Sequence, residues 1–468
     1  MHIVLINTNL LQPPVGPIGL DYIAEALNAV GQSVEILDLC WEEDPEVAIA
    51  QFLRKSDFGL IGMTLRNTDD CAFTSHQSFL PGFARMVKTA RENSHAPIVL
   101  GGVGFSVMPE MILSRVDADF GVWGEGEFVL PELANLLEHK RPCQDLPHLI
   151  WRHNGAWQRN PPSFRSLAEL PSMGRNWFDN QRYFRAGGQA GFETKRGCSS
   201  RCIYCADPVA KGKRVRLRPP AAVADELDKL LDQGIDALHT CDGEFNIPEH
   251  HALDVCREIT KRGLGNHMRW YAYCSPSPFS RELAKAMRAA GCAGIDFGAD
   301  HGSDAMLKRL GRDFGPDDIR NATRWAKEEG MAVMLDLLLG SPGETREGIE
   351  QTIDLVRQAK PDLAGVSLGV RVYPGTELAR QVATREYVDE LGSGRDPFDP
   401  VFFLEPTIAP FVFEWMNVLV GNDSRFLFFD PSKPKQNYNY NSNQRLVQAI
   451  QQGHRGAFWD ILRKYKEA

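Results

Sequence analysis

Cys198, Cys202 and Cys205 stand at C-x3-C-x2-C spacing within Lys195-Arg196-Gly197-Cys198-Ser199-Ser200-Arg201-Cys202-Ile203-Tyr204-Cys205. Thiolates are the ligands that iron–sulfur clusters need. Three of them on one tight loop can hold three corners of a [4Fe-4S] cubane and leave the fourth iron open to a substrate. The same distinction separates catalytic from structural zinc. A zinc knuckle would want a fourth ligand close by, and the nearest histidine after Cys205 is His239. The spacing therefore favours a cluster over zinc or three unrelated core cysteines.

The elements that must position this loop are strands and helices in alternation. Candidate strands are Phe192 to Lys195, Ala237 to Thr240, Arg269 to Cys274, Gly294 to Gly298, Ala332 to Leu339 and Gly365 to Val372. Six such units make a partial (β/α)6 barrel, whose working residues gather at the carboxyl ends of the strands. Distinctive residues fall there: Asp242-Gly243-Glu244-Phe245-Asn246 after the second strand, Tyr271 and Tyr273 on the third, Asp296, Gly298 and Asp300 on the fourth, Gly340-Ser341-Pro342-Gly343-Glu344 after the fifth, and Arg371 and Tyr373 after the sixth. Read blandly, the first is an exposed acidic turn and Glu344 a helix N-terminal acid.

Upstream, His2 to Asn7, Ser33 to Asp38, Phe58 to Met63 and Pro97 to Leu100 are apolar runs with helices between and after them, which imply an open parallel sheet with a ligand beyond its strand ends. Three segments lie at those ends: Leu65-Arg66-Asn67-Thr68-Asp69-Asp70, Gly101-Gly102-Val103-Gly104-Phe105-Ser106 and Gly124-Glu125-Gly126-Glu127. Glycines there would let backbone approach a large flat ligand.

The cysteine loop resembles that of the radical S-adenosylmethionine (SAM) superfamily, in which the open iron chelates SAM and an electron cleaves it. The upstream segments resemble the cobalamin-binding domain of one group of that superfamily, similar to the tryptophan 2-C-methyltransferases. The fold this implies is α/β: a Rossmann-like cobalamin-binding-type domain over 1–144, a linker over 145–190, a radical SAM partial barrel over 191–384 and a C-terminal substrate-capping region over 385–468. The resemblance assigns Glu244, Asp242, Asp296, Asp300, Arg371 and Tyr373 to SAM, with Glu244 foremost, at its ammonium. It assigns Arg66, Gly101, Gly102, Gly104, Phe105, Gly124 and Glu125 to cobalamin. No Asp-x-His-x-x-Gly loop is present to give cobalt a histidine. Arg66, from an Arg-Asn-x-Asp segment like that of the tryptophan 2-C-methyltransferase group, is placed at the cobalt face, where a cation cannot coordinate. An ion pair of Arg66 with Asp69 or Asp70 is the competing account, and a relic domain without its cofactor a third.

Between 145 and 190 periodicity fades. Leu149-Ile150-Trp151-Arg152 and Ala156-Trp157 read as a hairpin about Asn154-Gly155. Beyond Thr384 the barrel pattern is lost, and the tail reads as a cap in which Trp415, Tyr438, Tyr440 and Trp459 could line a pocket, with core packing the default for each.

The 468 residues, net charge of −9 and ten cysteines describe a globular enzyme of a reducing compartment, without nucleic-acid affinity or a membrane span, and we infer a cytoplasmic protein. The basic run Lys211 to Arg218 reads as a solvated loop sooner than an RNA contact. The resemblance implies transfer of a methyl group from SAM to a small-molecule or natural-product precursor, with an electron donor such as flavodoxin or ferredoxin. The alternatives are 3-amino-3-carboxypropyl transfer or a radical rearrangement on the same scaffold, RNA methylthiolation, for which Cys40, Cys71 and Cys143 are wrongly placed, and a non-catalytic cobalamin or redox sensor.

Overall fold

The structure is a computed structural model that describes residues 1–383, 396, 398–428 and 441–465. The amino-terminal sheet has the order β2-β1-β3-β4-β5-β6-β7. Its strands are β1 (His2–Asn7), β2 (Ser33–Asp38), β3 (Leu60–Thr64), β4 (Ile98–Gly101), β5 (Phe120–Val122), β6 (Leu149–His153) and β7 (Ala156–Arg159). The first five are parallel. Apolar clusters cover both faces, which is why β1 reads as an unbroken buried run. Because β1 lies between β2 and β3, the chain switches direction across the sheet there, and a crevice opens beyond the carboxyl ends of those strands.

The hairpin β6–β7 turns at Asn154 and Gly155, both at positive φ. It does not stand alone in a linker. β6 pairs antiparallel with β5, so the sheet extends to Arg159.

The second sheet is parallel throughout, in the order β18-β15-β14-β13-β12-β11-β8. It is built from β8 (Ala190–Phe192), β11 (Ala237–Thr240), β12 (Arg269–Cys274), β13 (Cys292–Asp300), β14 (Ala332–Leu339), β15 (Leu363–Leu368) and β18 (Phe426–Phe428). Its core lies between strands and outer helices. The first strand ends three residues earlier than expected, since β9 (Lys195–Arg196) leaves the barrel to pair antiparallel with β10 (Arg216–Leu217). The sixth unit is cut short where β16 (Val370–Arg371) pairs with β17 (Phe402–Phe403). A seventh strand, β18, comes from the tail.

The tail therefore serves both ends of the barrel, not only the expected cap. At the carboxyl end, Glu405 accepts a hydrogen bond from the Gly343 amide (2.6 Å), and Trp415 lies under the Arg346 guanidinium at 4.1 Å. At the amino end, Trp459 packs on Tyr271, Met334 and Leu363, and the Tyr271 hydroxyl donates to Asp460 at 2.8 Å. Trp459 is thus part of the barrel floor. Tyr438 and Tyr440 lie outside the described residues.

Buried ion pairs lock the two sheets together. Glu226 meets Arg175 (2.7 Å) and Arg218 (2.7 Å) and accepts from Tyr22 (2.8 Å); Arg196 meets Glu127 (2.7 Å), and Arg216 meets Glu125. Arg216 and Arg218, read from sequence as part of a solvated loop, are among the most buried charges in the chain. Among the described residues no helix is long and apolar enough to cross a membrane.

Candidate active site between the two sheets

The cysteine loop is held from three sides. Gly197 takes a positive φ because the Arg214 carbonyl occupies the space a side chain would need, and Gly311 does the same against the Arg201 carbonyl. The Cys198 amide donates to Gly212 (3.2 Å), the Ile203 amide to Leu310 (3.0 Å), and the Ile203 carbonyl accepts from Leu378 (2.8 Å). Tyr204, inside the motif, donates to Asp300 (2.8 Å), and Arg312 closes the triangle with contacts to Asp300 (2.6 Å) and the Tyr204 oxygen (3.0 Å).

The three thiols are half-buried and free; Cys202 feels the charge of Cys198, and Cys205 that of both Cys198 and Cys202. Burial pushes the Cys202 thiol up to about 12 and Cys205 higher. Thiolates are costly there unless a metal centre supplies positive charge. Among the described residues no three His, Cys, Asp or Glu side chains gather tightly enough to hold one ion. Three thiols on a pinned loop fit the cubane's donor set.

Glu244 stands beside this loop, close enough to raise the Cys202 thiol. Its Oε1 is 3.6 Å from Arg312, but its buried Oε2 has no hydrogen-bond donor among the described residues. Burial lifts the Glu244 carboxyl to about 7, against the pull of Arg312 and Lys195. An orphaned carboxylate oxygen wants a cation or a donor, which a ligand ammonium or an iron centre would supply. Of the residues assigned to SAM from sequence, Glu244 is the one whose free oxygen fits that part.

The others are differently engaged. Asp242 turns back to accept from the Thr194 amide (2.9 Å), the Thr194 hydroxyl (2.5 Å) and the Lys195 amide (3.2 Å), so it braces the approach to the cysteine loop. Asp300 is committed to Tyr204 and Arg312. Arg371 grips Asp69 across the interdomain seam (2.8 and 2.9 Å), and the Tyr373 hydroxyl lies 3.1 Å from the Cys71 sulfur. Arg371 and Tyr373 therefore clamp the β3 loop to the barrel. Glu344 accepts from the Gly340 amide (3.2 Å) and meets His301 (3.1 Å), which makes it a brace at the start of a helix. Asp296 lies beside Asp336, and its buried Oδ1 has no partner among the described residues.

On the amino-terminal side, the glycines serve a closer approach than expected. A Cβ on Gly102, at φ +101°, would run into the Leu65 carbonyl, and one on Gly104 would lie 3.0 Å from the Asn67 backbone. They press the β4 loop onto the β3 loop and leave a backbone floor at the switch point. Gly101 has room, Gly124 packs on His148, Phe105 is fully buried in the core, and Glu125 is spent on Arg216. Arg66 donates to Asn67 (2.7 Å) and lowers the Cys241 thiol across the seam. Of the two acids expected to pair with it, Asp69 belongs to Arg371, and Asp70 accepts from the Ser75 hydroxyl and the Ala72 amide. The backbone floor with Arg66 facing the barrel fits a flat corrin.

Cys241 and Cys71 stand at this seam with exposed surface, yet the protein around them pushes both thiols up to about 12. Sequence reasoning missed Arg312, Asp336 and the Arg175–Glu226–Arg218 network. A lone acid in Val333-Met334-Leu335-Asp336-Leu337-Leu338-Leu339 was a legible signal, since a charge inside a buried strand demands a reason. Arg312 had none.

Residues 192–356 match the family model of the radical SAM superfamily, and residues 5–134 that of the B12 binding domain. The chain is 32% identical over 445 residues to the tryptophan 2-C-methyltransferase of Streptomyces laurentii, covering 81% of this chain and 74% of that protein. It is 29% identical over 367 residues to an uncharacterized methyltransferase of Pyrococcus horikoshii, covering 77% of each. Among solved structures, the radical SAM methyltransferase TsrM from Kitasatospora setae, with tryptophan substrate and a SAM analogue bound, superposes at TM-score 0.89 and 28% identity over 98% of this chain and 97% of that one. The same enzyme with cobalamin and a [4Fe-4S] cluster bound gives 0.84 at 28% identity, over 99% and 98%.

Proposed function

The chain belongs to the radical SAM methyltransferases that carry a B12-binding domain, and from that membership we propose that it moves a methyl group from SAM to a small-molecule acceptor. The observation that carries the reading is the orphaned Glu244 oxygen beside a pinned loop of three thiols. Cys198, Cys202 and Cys205 would hold the [4Fe-4S] cluster. Glu244 would receive the SAM ammonium. Arg66, over the floor made by Leu65 to Asn67 and Gly102 to Gly104, would face the corrin. When bound, the cluster supplies an electron, SAM the methyl group and cobalamin a carrier for it.

The residues present do the positioning. Arg312 fixes the cluster loop through Tyr204 and keeps Glu244 ready for a cation. The Arg371–Asp69 clamp holds the β3 loop, and with it Arg66, against the barrel mouth. Reactive intermediates require water to be kept away, and the clamp, with Asp69 buried, closes the seam on its side. We divide the chain into a cobalamin-side unit to about Arg159, a connector, a barrel from Ala190 and a tail that serves both barrel ends. An electron donor of the flavodoxin or ferredoxin type, and a cytoplasm that keeps the ten free cysteines reduced, complete the reading. The relatives' names make L-tryptophan the first acceptor to try.

Anaerobically reconstituted protein should show cluster and corrin absorption together. With reductant, SAM and L-tryptophan or another aromatic acceptor it should form S-adenosylhomocysteine. Methylthioadenosine in its place would mean carboxypropyl transfer, and no SAM consumption would mean a sensor.

A further inference from the structure

The barrel interior holds a pair of acids that the reading above does not use. Asp296 on β13 and Asp336 on β14 lie on paired neighbouring strands, Asp296 opposite Met334 and Asp336 opposite Gly298, close enough to share a proton, and the Oδ1 of each is buried without a donor from any other described residue. Two carboxylates in contact cannot both be ionised, so the pair must hold one proton between them. Asp296 is 3% exposed and Asp336 half-buried, so the more buried partner is the one to keep it.

The surroundings leave the pair alone in this capacity. On β11, His239 spends Nδ1 on the Thr240 carbonyl (2.8 Å), and burial lowers its pKa to about 4, too weak a base at neutral pH. Tyr273 on β12 lies tilted against that ring at 4.8 Å and is 45% exposed. Above the pair stand Glu244, whose charge bears on Asp296, and Asp300, whose charge bears on Asp336 but is itself held by Arg312. Lys195 faces Glu244. Below, Asp460 is committed to Tyr271, Arg463 and Lys464. Burial and Asp336 push Asp296 well up, while burial and Asp300 lift Asp336 to about 7.

We propose that Asp336, sharing a proton with Asp296, is the base that takes the proton the acceptor loses on methylation. This rests on the methyl-transfer reading and narrows its substrate class to acceptors with a nucleophilic sp2 carbon or nitrogen bearing hydrogen. Summed over the reaction, the S–CH3 bond of SAM breaks and its electron pair stays on sulfur. The acceptor's bond to hydrogen breaks, its electron pair stays with the acceptor, and one bond to the methyl carbon forms. The proton goes to the Asp336 carboxylate, and nothing is oxidised overall.

Wild-type turnover, measured first, tests the underlying reading by itself. Asp336→Asn is then expected to lower kcat roughly 10²- to 10⁴-fold, with SAM affinity within about threefold of wild type. The acidic limb of the kcat profile, near pH 7 in the wild type, should be lost from that position in the variant, because the carboxyl that titrates there is gone. Infrared spectra of the cofactor-free wild-type protein at neutral pH should carry a protonated-carboxyl band that loses one carboxyl's intensity in Asp296→Asn, the remainder coming from Glu244. Retention of kcat within a few-fold, or a loss carried entirely by weaker SAM binding with the pH limb unmoved, would overturn the proposal in favour of a ribose contact. Absence of the infrared band in the wild type would overturn it whatever the variants do.

Discussion

Replacing Glu244 by Gln should move stability and affinity in opposite directions. The Glu244 carboxyl is raised from 4.5 to about 7, with burial the largest cause. At about 1.4 kcal/mol per pKa unit, the folded protein carries the ionised group at a cost of about 3 kcal/mol. Between about pH 4.5 and 7 the native state holds a proton that the unfolded chain has released, so stability falls as pH rises through that window. Glutamine does not titrate. At pH 8 the variant should therefore be about 1–3 kcal/mol more stable than wild type, and at pH 5 nearly equal to it, in urea denaturation of cluster-free protein. The same change removes a charge-assisted hydrogen bond to the SAM ammonium, worth about 1.5–3 kcal/mol. Calorimetry on reconstituted protein should show SAM bound roughly 10- to 150-fold more weakly. A variant that loses stability at pH 8, or binds SAM as wild type does, would refute the reasoning.

Arg371→Met would strand Asp69, which is 1% exposed. It should cost about 3–5 kcal/mol in urea denaturation, with partial recovery when Asp69→Asn is added. Gly102→Ala, at φ +101° and against the Leu65 carbonyl, should cut corrin retention at least tenfold, while iron and sulfide content stay at the wild-type level. Arg66→His should place an imidazole where the guanidinium stands, and the corrin spectrum should shift to that of a six-coordinate cobalt with a nitrogen ligand.

The cysteine loop and the strand–helix alternation were legible because they depend on neighbours in sequence: ligand spacing, apolar runs and the glycines that end them. The roles of Asp242, Arg371 and Tyr373 were not. Arg371 is a plausible anion binder until the fold brings Asp69 to it from 302 positions away. Asp242 looked like a ligand acid, and its orientation is set by two amides and a hydroxyl at Thr194 and Lys195. The glycines were read as room for a flat ligand, and at Gly102 and Gly104 the group that comes close is the neighbouring loop's backbone. Arg216 and Arg218 looked solvated because local charge density says nothing about acids waiting on another sheet. The seventh strand escaped notice for the same reason, since Phe426–Phe428 is three residues long and takes its register only from β15.

Methyl-deuterated SAM, given to reduced, reconstituted protein with an aromatic acceptor, tests the central claim most directly. The label should appear intact in the acceptor with one S-adenosylhomocysteine per product, and transfer should vanish when Cys198, Cys202 and Cys205 are replaced by Ala. Label retained in methylthioadenosine, or transfer that survives loss of the three thiols, would contradict the account.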